Sequence, residues 1–194
     1  MNRLQQKHSV FEAECNVTIH ERFQRLPIDP CWIGLERGDR HPKYFCTPLG
    51  AQIIGWENSI HYRFLPGYGE MVFAVNPESC ADAFVYPLAK DFSDFLRLIL
   101  ACGSTTAAEQ IILWDRESFE RFLHSDDNAI LPQQARVLEV IREQLHLMPM
   151  EDSFDCVKAL QAQCGELSLI CCSDEYYDTL GLPRPTGRSR RRMA

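Results

Sequence analysis

The sequence predicts an α+β fold, a mainly antiparallel sheet flanked by helices, and three observations lead there. Between residues 50 and 76, three short β-favouring runs are separated by turn signals. From Asp91 onward, apolar residues return at helical spacing. The 194 residues are 45% hydrophobic and 24% charged, which suits one sizeable packed core and not a disordered chain.

Before residue 50 the signals are mixed. Val17-Thr18-Ile19 favours strand and Glu12-Ala13-Glu14 favours helix, so both assignments stay open for residues 4–26. Pro27, Pro30, Pro42 and Pro48, with Gly34 and Gly38, mark residues 27–48 as turns and irregular chain. Residues 51–56 then read as a strand and Glu57-Asn58-Ser59 as a turn. Residues 60–65 alternate with period two, placing Ile60, Tyr62 and Phe64 on one face and His61 and Arg63 on the other. Pro66-Gly67-Tyr68-Gly69 is a turn, because Pro presets one dihedral and Gly permits positive φ. Residues 70–75 return as a strand, so the three runs form an antiparallel meander, and a further short strand is expected at residues 83–87.

Asp91 is placed to cap a helix carrying Phe92, Phe95, Leu96, Ile99 and Leu100 along one stripe, with Gly103 as its stop. Thr106-Ala107-Ala108-Glu109 has the capping-box pattern of a second, shorter helix. Asp115 caps a third, with Trp114 and Phe119 spaced for a hydrophobic staple. Pro132 suits the first turn of a helix reaching about His146, with Ala135, Leu138, Ile141 and Leu145 inward. Asp152 caps another, with Phe154, Val157, Leu160 and Cys164 inward and Gly165 closing it. Residues 167–172 read as a strand buried on both faces. The expected organisation is a single α+β domain over residues 1–182, its helical extension beginning at residue 125, followed by a disordered basic tail at 183–194.

No apolar stretch approaches the roughly 18–20 residues that cross a bilayer, and no signal-peptide pattern opens the chain, so the expected location is the cytoplasm, with no membrane partner. Nine cysteines, an odd number without a signal peptide, read as free thiols. The net charge of -7 hides an asymmetry, since residues 1–183 carry 15 basic and 27 acidic groups, a balance of -12. An acidic body argues against nucleic-acid binding and suits a basic partner. The Arg-rich tail, with no aromatic residue in it, reads as an aid to solubility.

No catalytic motif is legible. The short Cys and His spacings of structural zinc sites are absent, as are the Gly-x-Ser-x-Gly elbow and the Gly-rich phosphate loop. Cys102 lies near a helix C-terminus and Cys80 in an acidic stretch, and both settings disfavour a thiolate. No catalytic residue, metal or cofactor is expected. The most informative cluster is the hairpin with Glu57, Asn58 and His61 on one side and Tyr68 and Glu70 across from them. Exposed together, these five residues would form a partner-binding surface, with His61 a general base if a carboxylate oriented it. The plainer reading, and the one the residue types favour, is turn and solvent-face residues beside a core Trp.

The stretch 50–123 resembles the SUKH superfamily, which includes a yeast cell-wall-assembly regulator and many bacterial immunity proteins. The resemblance lies in Gly55-Trp56-Glu57-Asn58, in the two strands after it, and in the run from Pro87 through Phe92 to Phe95-Leu96, where a strand passes by a short turn into a helix. Residues 1–48 diverge, since Leu26-Pro27 is followed by Ile28-Asp29-Pro30-Cys31-Trp32 where the family carries a helix ending in Asn-Gly. The resemblance implies a non-catalytic protein-binding domain, of the kind that neutralises a toxin, often a nuclease. An acidic body would suit a basic toxin domain by charge. The alternative is a small enzyme whose Cys, His and carboxylate groups meet only in the fold.

Overall fold

The computed structural model describes residues 17–38, 43–81, 83–165, 167 and 170–184. Its centre is a four-stranded antiparallel meander in the order β1 (Gln52–Glu57), β2 (Ile60–Phe64), β3 (Val72–Val75) and β4 (Val85–Ala89). The sheet expected from the alternating runs is there, and the fold is α+β. The third strand starts at Val72, because Glu70 belongs to the turn before it. Pro87 is accommodated because β4 is an edge strand, where its missing N–H costs no interior ladder bond.

Seven α-helices are found among the described residues. The short helix α1 (Ile19–Gln24) resolves the open assignment near the start in favour of helix. Thr18 closes a capping box, taking the Glu21 N–H at 3.1 Å while Glu21 takes the Thr18 N–H at 2.8 Å. A 3-10 turn at Pro30–Ile33 follows and ends at Gly34, whose φ of 70° suits glycine. Beyond it Glu36 bridges Trp56 and continues the ladder past β1.

The main helical layer is α2 (Phe92–Cys102), α3 (Thr105–Leu113) and α4 (Arg116–Leu123). Asp91 caps α2 through the Asp94 N–H at 2.8 Å, and Phe92, Phe95, Leu96 and Ile99 are fully buried, as the periodicity requires. Leu98 and Cys102 are buried as well, since α2 lies between the sheet and two further helices, α5 (Pro132–Leu145) and α6 (Ser153–Cys164). Val137, Ile141, Leu145 and Val157 join the same core as Phe95 and Tyr62.

Four local expectations are corrected. The cap of α3 is Ser104, which takes the Ala107 N–H at 3.1 Å, so Thr106 lies inside the first turn and Glu109 in the second. Trp114 does not meet Phe119. Its ring stands edge-on to Phe122 at 5.5 Å, while Phe119 turns inward to Phe154 at 5.7 Å. On α5 the buried stripe includes Val137 in place of Ala135, which is exposed. Residues 170–172 are not a strand. The sheet's edges are already taken, β1 by Glu36 and β4 by α6 lying along it. A last helix, α7 (Asp174–Leu180), follows. Ser168, Leu169 and residues 185–194, where the rest of that strand and most of the basic tail were expected, lie outside the described residues.

The second face of the sheet is covered by irregular chain. Leu49 donates to the Cys171 carbonyl at 2.7 Å, tying residues 43–49 to the segment before α7. Phe45 packs against Phe84 and Tyr176 at 5.2 and 6.3 Å. The face carrying His61 and Arg63 is therefore interior. The eight described cysteines are free, and no described helix is long and apolar enough to cross a membrane.

Candidate functional site

In a meander, successive turns lie at opposite ends of the sheet, and this separates the five residues expected to form one surface. Glu57 and Asn58 are at the β1–β2 turn, whereas Tyr68 and Glu70 are at the β2–β3 turn, a strand length of roughly 15 Å away. Asn58 and Glu70 are exposed, and Tyr68 packs its ring edge-on to Phe73 at 5.1 Å. Glu70 faces His20, whose pKa is lowered chiefly by burial, with Glu70 opposing that shift.

His61 has no exposed surface at all. Tyr44 stacks on it at 4.3 Å, and Arg63 Nη2 lies 3.0 Å from His61 Nδ1. A guanidinium has only donors, so Nδ1 is the acceptor and the ring proton of the neutral imidazole sits on Nε2. The group on Nδ1 is thus an arginine. Arg63 is itself buried, and this desolvation lowers its pKa.

Glu57 is instead part of a polar network that joins three elements. Its Oε2 lies 2.7 Å from Thr105 Oγ1 and 2.5 Å from Thr106 Oγ1, both in the first turn of α3. A carboxylate there also meets the positive end of the helix dipole. The Thr105 hydroxyl also reaches the Gly34 carbonyl, so its single proton lies between two acceptors. A Cβ at Gly34 would fall on the Glu57 carboxylate, so glycine is required there for space as well as for its φ of 70°. Alongside, the Tyr62 hydroxyl donates to Glu109 Oε2 at 3.0 Å. Burial pushes the Glu109 carboxyl up to about 7; the Tyr62 hydrogen bond opposes the shift and the nearby Glu57 charge adds to it. Burial likewise raises the Tyr62 phenol well above its usual range.

Glu109 borders a cavity of about 100 Å³ beside Ile60, Asn76, Tyr86, Leu113 and Trp114. Leu113 and Trp114 also border a broader groove of about 540 Å³ with Asp115, Arg121, Phe122 and Asp127. They form a ridge between the two hollows and are 54% and 37% exposed. Sequence reasoning did not single out Tyr62, Thr105, Leu113 or the Glu109 carboxylate as site residues. The one signal touching them, the Thr106–Glu109 spacing, reads as a cap.

Three of the thiols are poor nucleophiles. Burial pushes Cys102 up to about 12 and Cys46 to about 11, and burial with Asp29 nearby takes Cys31 to about 11. Among the described residues, no group of three or more His, Cys, Asp or Glu is placed to hold a metal ion.

By fold the chain is an α+β protein built on a four-stranded antiparallel sheet. No family model matches it, and neither a curated protein nor a solved structure does.

Proposed function

We propose that the protein is a non-catalytic binding domain that acts in the cytoplasm on a basic protein partner, as the SUKH resemblance implies for immunity proteins that neutralise a nuclease-type toxin. The observation that supports this best is the Leu113–Trp114 ridge. It exposes two large apolar side chains between a hollow bordered by Glu109 and a groove bordered by Asp115 and Asp127. An exposed aromatic anchor beside carboxylates that outnumber the one cation on the rim, Arg121, is what a complementary basic surface would engage. Asn58, in the turn before Ile60, adjoins the same end of the sheet. Glu57 contributes from behind, by holding the start of α3 in place.

The test is capture of partners by tagged protein from its native cells at low and high salt, alongside Trp114→Ala and Asn58→Lys variants. The expected result is one basic protein, identified by mass spectrometry, whose recovery falls with salt and with either variant. A partner retained equally by both variants would move the interface elsewhere, and a neutral or acidic partner would remove the charge argument.

A further inference from the structure

We propose that the cavity beside Glu109 receives a lysine side chain of the partner, with its ammonium seated on the Glu109 carboxylate. This rests on the protein-binding reading above and names the anchor within it. The cavity of about 100 Å³ is lined by Ile60 and Leu113, by the aromatic residues Tyr86 and Trp114, by the neutral polar residues Asn76 and Gln110, and by Glu109 as its one charged residue. Apolar walls accept the methylene stem of a lysine, aromatic faces stabilise a cation, and the carboxylate takes the charge.

The chain leaves the position for a cation open. The groups acting on Glu109 are Tyr62 and Glu57, and no cation of the described residues is among them. Tyr62 occupies Oε2, while no hydrogen bond among the described residues is made to Oε1. A second carboxylate, Glu57, lies close enough to oppose the ionisation of Glu109, so an incoming positive charge relieves repulsion as well as forming a pair. Lysine fits better than arginine for two reasons. One open carboxylate oxygen cannot make the two parallel bonds of a guanidinium fork, and a compact ammonium needs less room.

The probe is n-butylammonium chloride, the lysine side chain alone, titrated into the full chain and followed by NMR at the Trp114 indole N–H and the Leu113 amide. n-Butanol serves as the neutral isostere. Saturable shifts are expected with the ammonium, with affinity falling at least about tenfold in Glu109→Gln and for n-butanol. Trp114→Leu, at a partly exposed site, is a second variant that keeps a large apolar side chain against Phe122, and it should also weaken binding. Absence of shifts, equal binding by Glu109→Gln, or equal binding of n-butanol would overturn the proposal.

The two readings fail separately. If the ammonium does not bind but Trp114→Ala still loses the protein partner, the lysine anchor is wrong and the binding face stands. If the ammonium binds at Glu109 but partner recovery ignores Trp114, the cation pocket stands and the proposed protein interface falls.

Discussion

The Tyr62 hydroxyl donates to Glu109 Oε2 at 3.0 Å, joining the interior of β2 to the second turn of α3. It links a phenol with no exposed surface to a carboxyl held up to about 7.

That shift sets the sign of a pH dependence. Between an ordinary value of 4.5 and about 7, the native state keeps a proton that the unfolded chain has released. The stabilisation is complete below 4.5 and is lost as pH rises through about 7. The shift corresponds to about 3 kcal/mol. Urea unfolding at about pH 5 and about pH 7.5 should therefore show lower stability at the higher pH from this group, and Glu109→Gln should flatten the difference.

Tyr62→Phe removes the donor and leaves the ring. It should cost about 1–2 kcal/mol and drive the Glu109 carboxyl further up, because the hydrogen bond is what opposes the burial. An NMR titration of the Glu109 side-chain carbon reads the shift directly, and an unchanged midpoint would show that the phenol does not hold the carboxylate.

Gly34→Ala should destabilise by about 2 kcal/mol or more, through a positive φ and a Cβ placed on the Glu57 carboxylate. In a Glu57→Ala background the same change should cost less, with the backbone strain and the clash with the Thr105 hydroxyl remaining. A double-mutant cycle by chemical denaturation measures the coupling, and strict additivity would mean that the two sites do not touch.

Arg63 is buried on the second face of the sheet, with its Nε making no hydrogen bond. Arg63→Met keeps much of the volume and removes a costly cation, so its thermal midpoint should equal or exceed that of the parent. Arg63→Ala leaves a hole and should cost about 3 kcal/mol. A large loss in Arg63→Met would show that the bond to His61 outweighs desolvation.

Much of the fold was legible because its signals are local. The alternation from Ile60 to Phe64 assigned those side chains to their correct faces, and Asp91, Asp115 and Pro132 open helices where their chemistry places them. At the α2–α3 junction the local signal was ambiguous. Ser104 and Thr106 both have N-cap chemistry, and the chain turns at Gly103, which puts Ser104 in the capping position. The Trp114–Phe119 spacing fitted a staple, but Phe119 had a better partner in Phe154, 35 residues on, which no local pattern encodes.

The site was less legible. Residue types alone determined that β2 presents Tyr62 to one side and His61 to the other, that the body is acidic, and that short strands precede helices. Only the tertiary structure decided that both sides of the sheet are interior, because the cover over His61 comes from residues 43–49 and their contact with Cys171. It also split the expected surface between two ends of the sheet and brought Glu57, Tyr62, Thr105 and Glu109 together from positions 47 to 48 residues apart. The physical reason is the range of the interactions. Caps and periodicity act within a few residues, whereas burial, and the pairing and pKa of each buried carboxyl, depend on whatever distant chain packs against it.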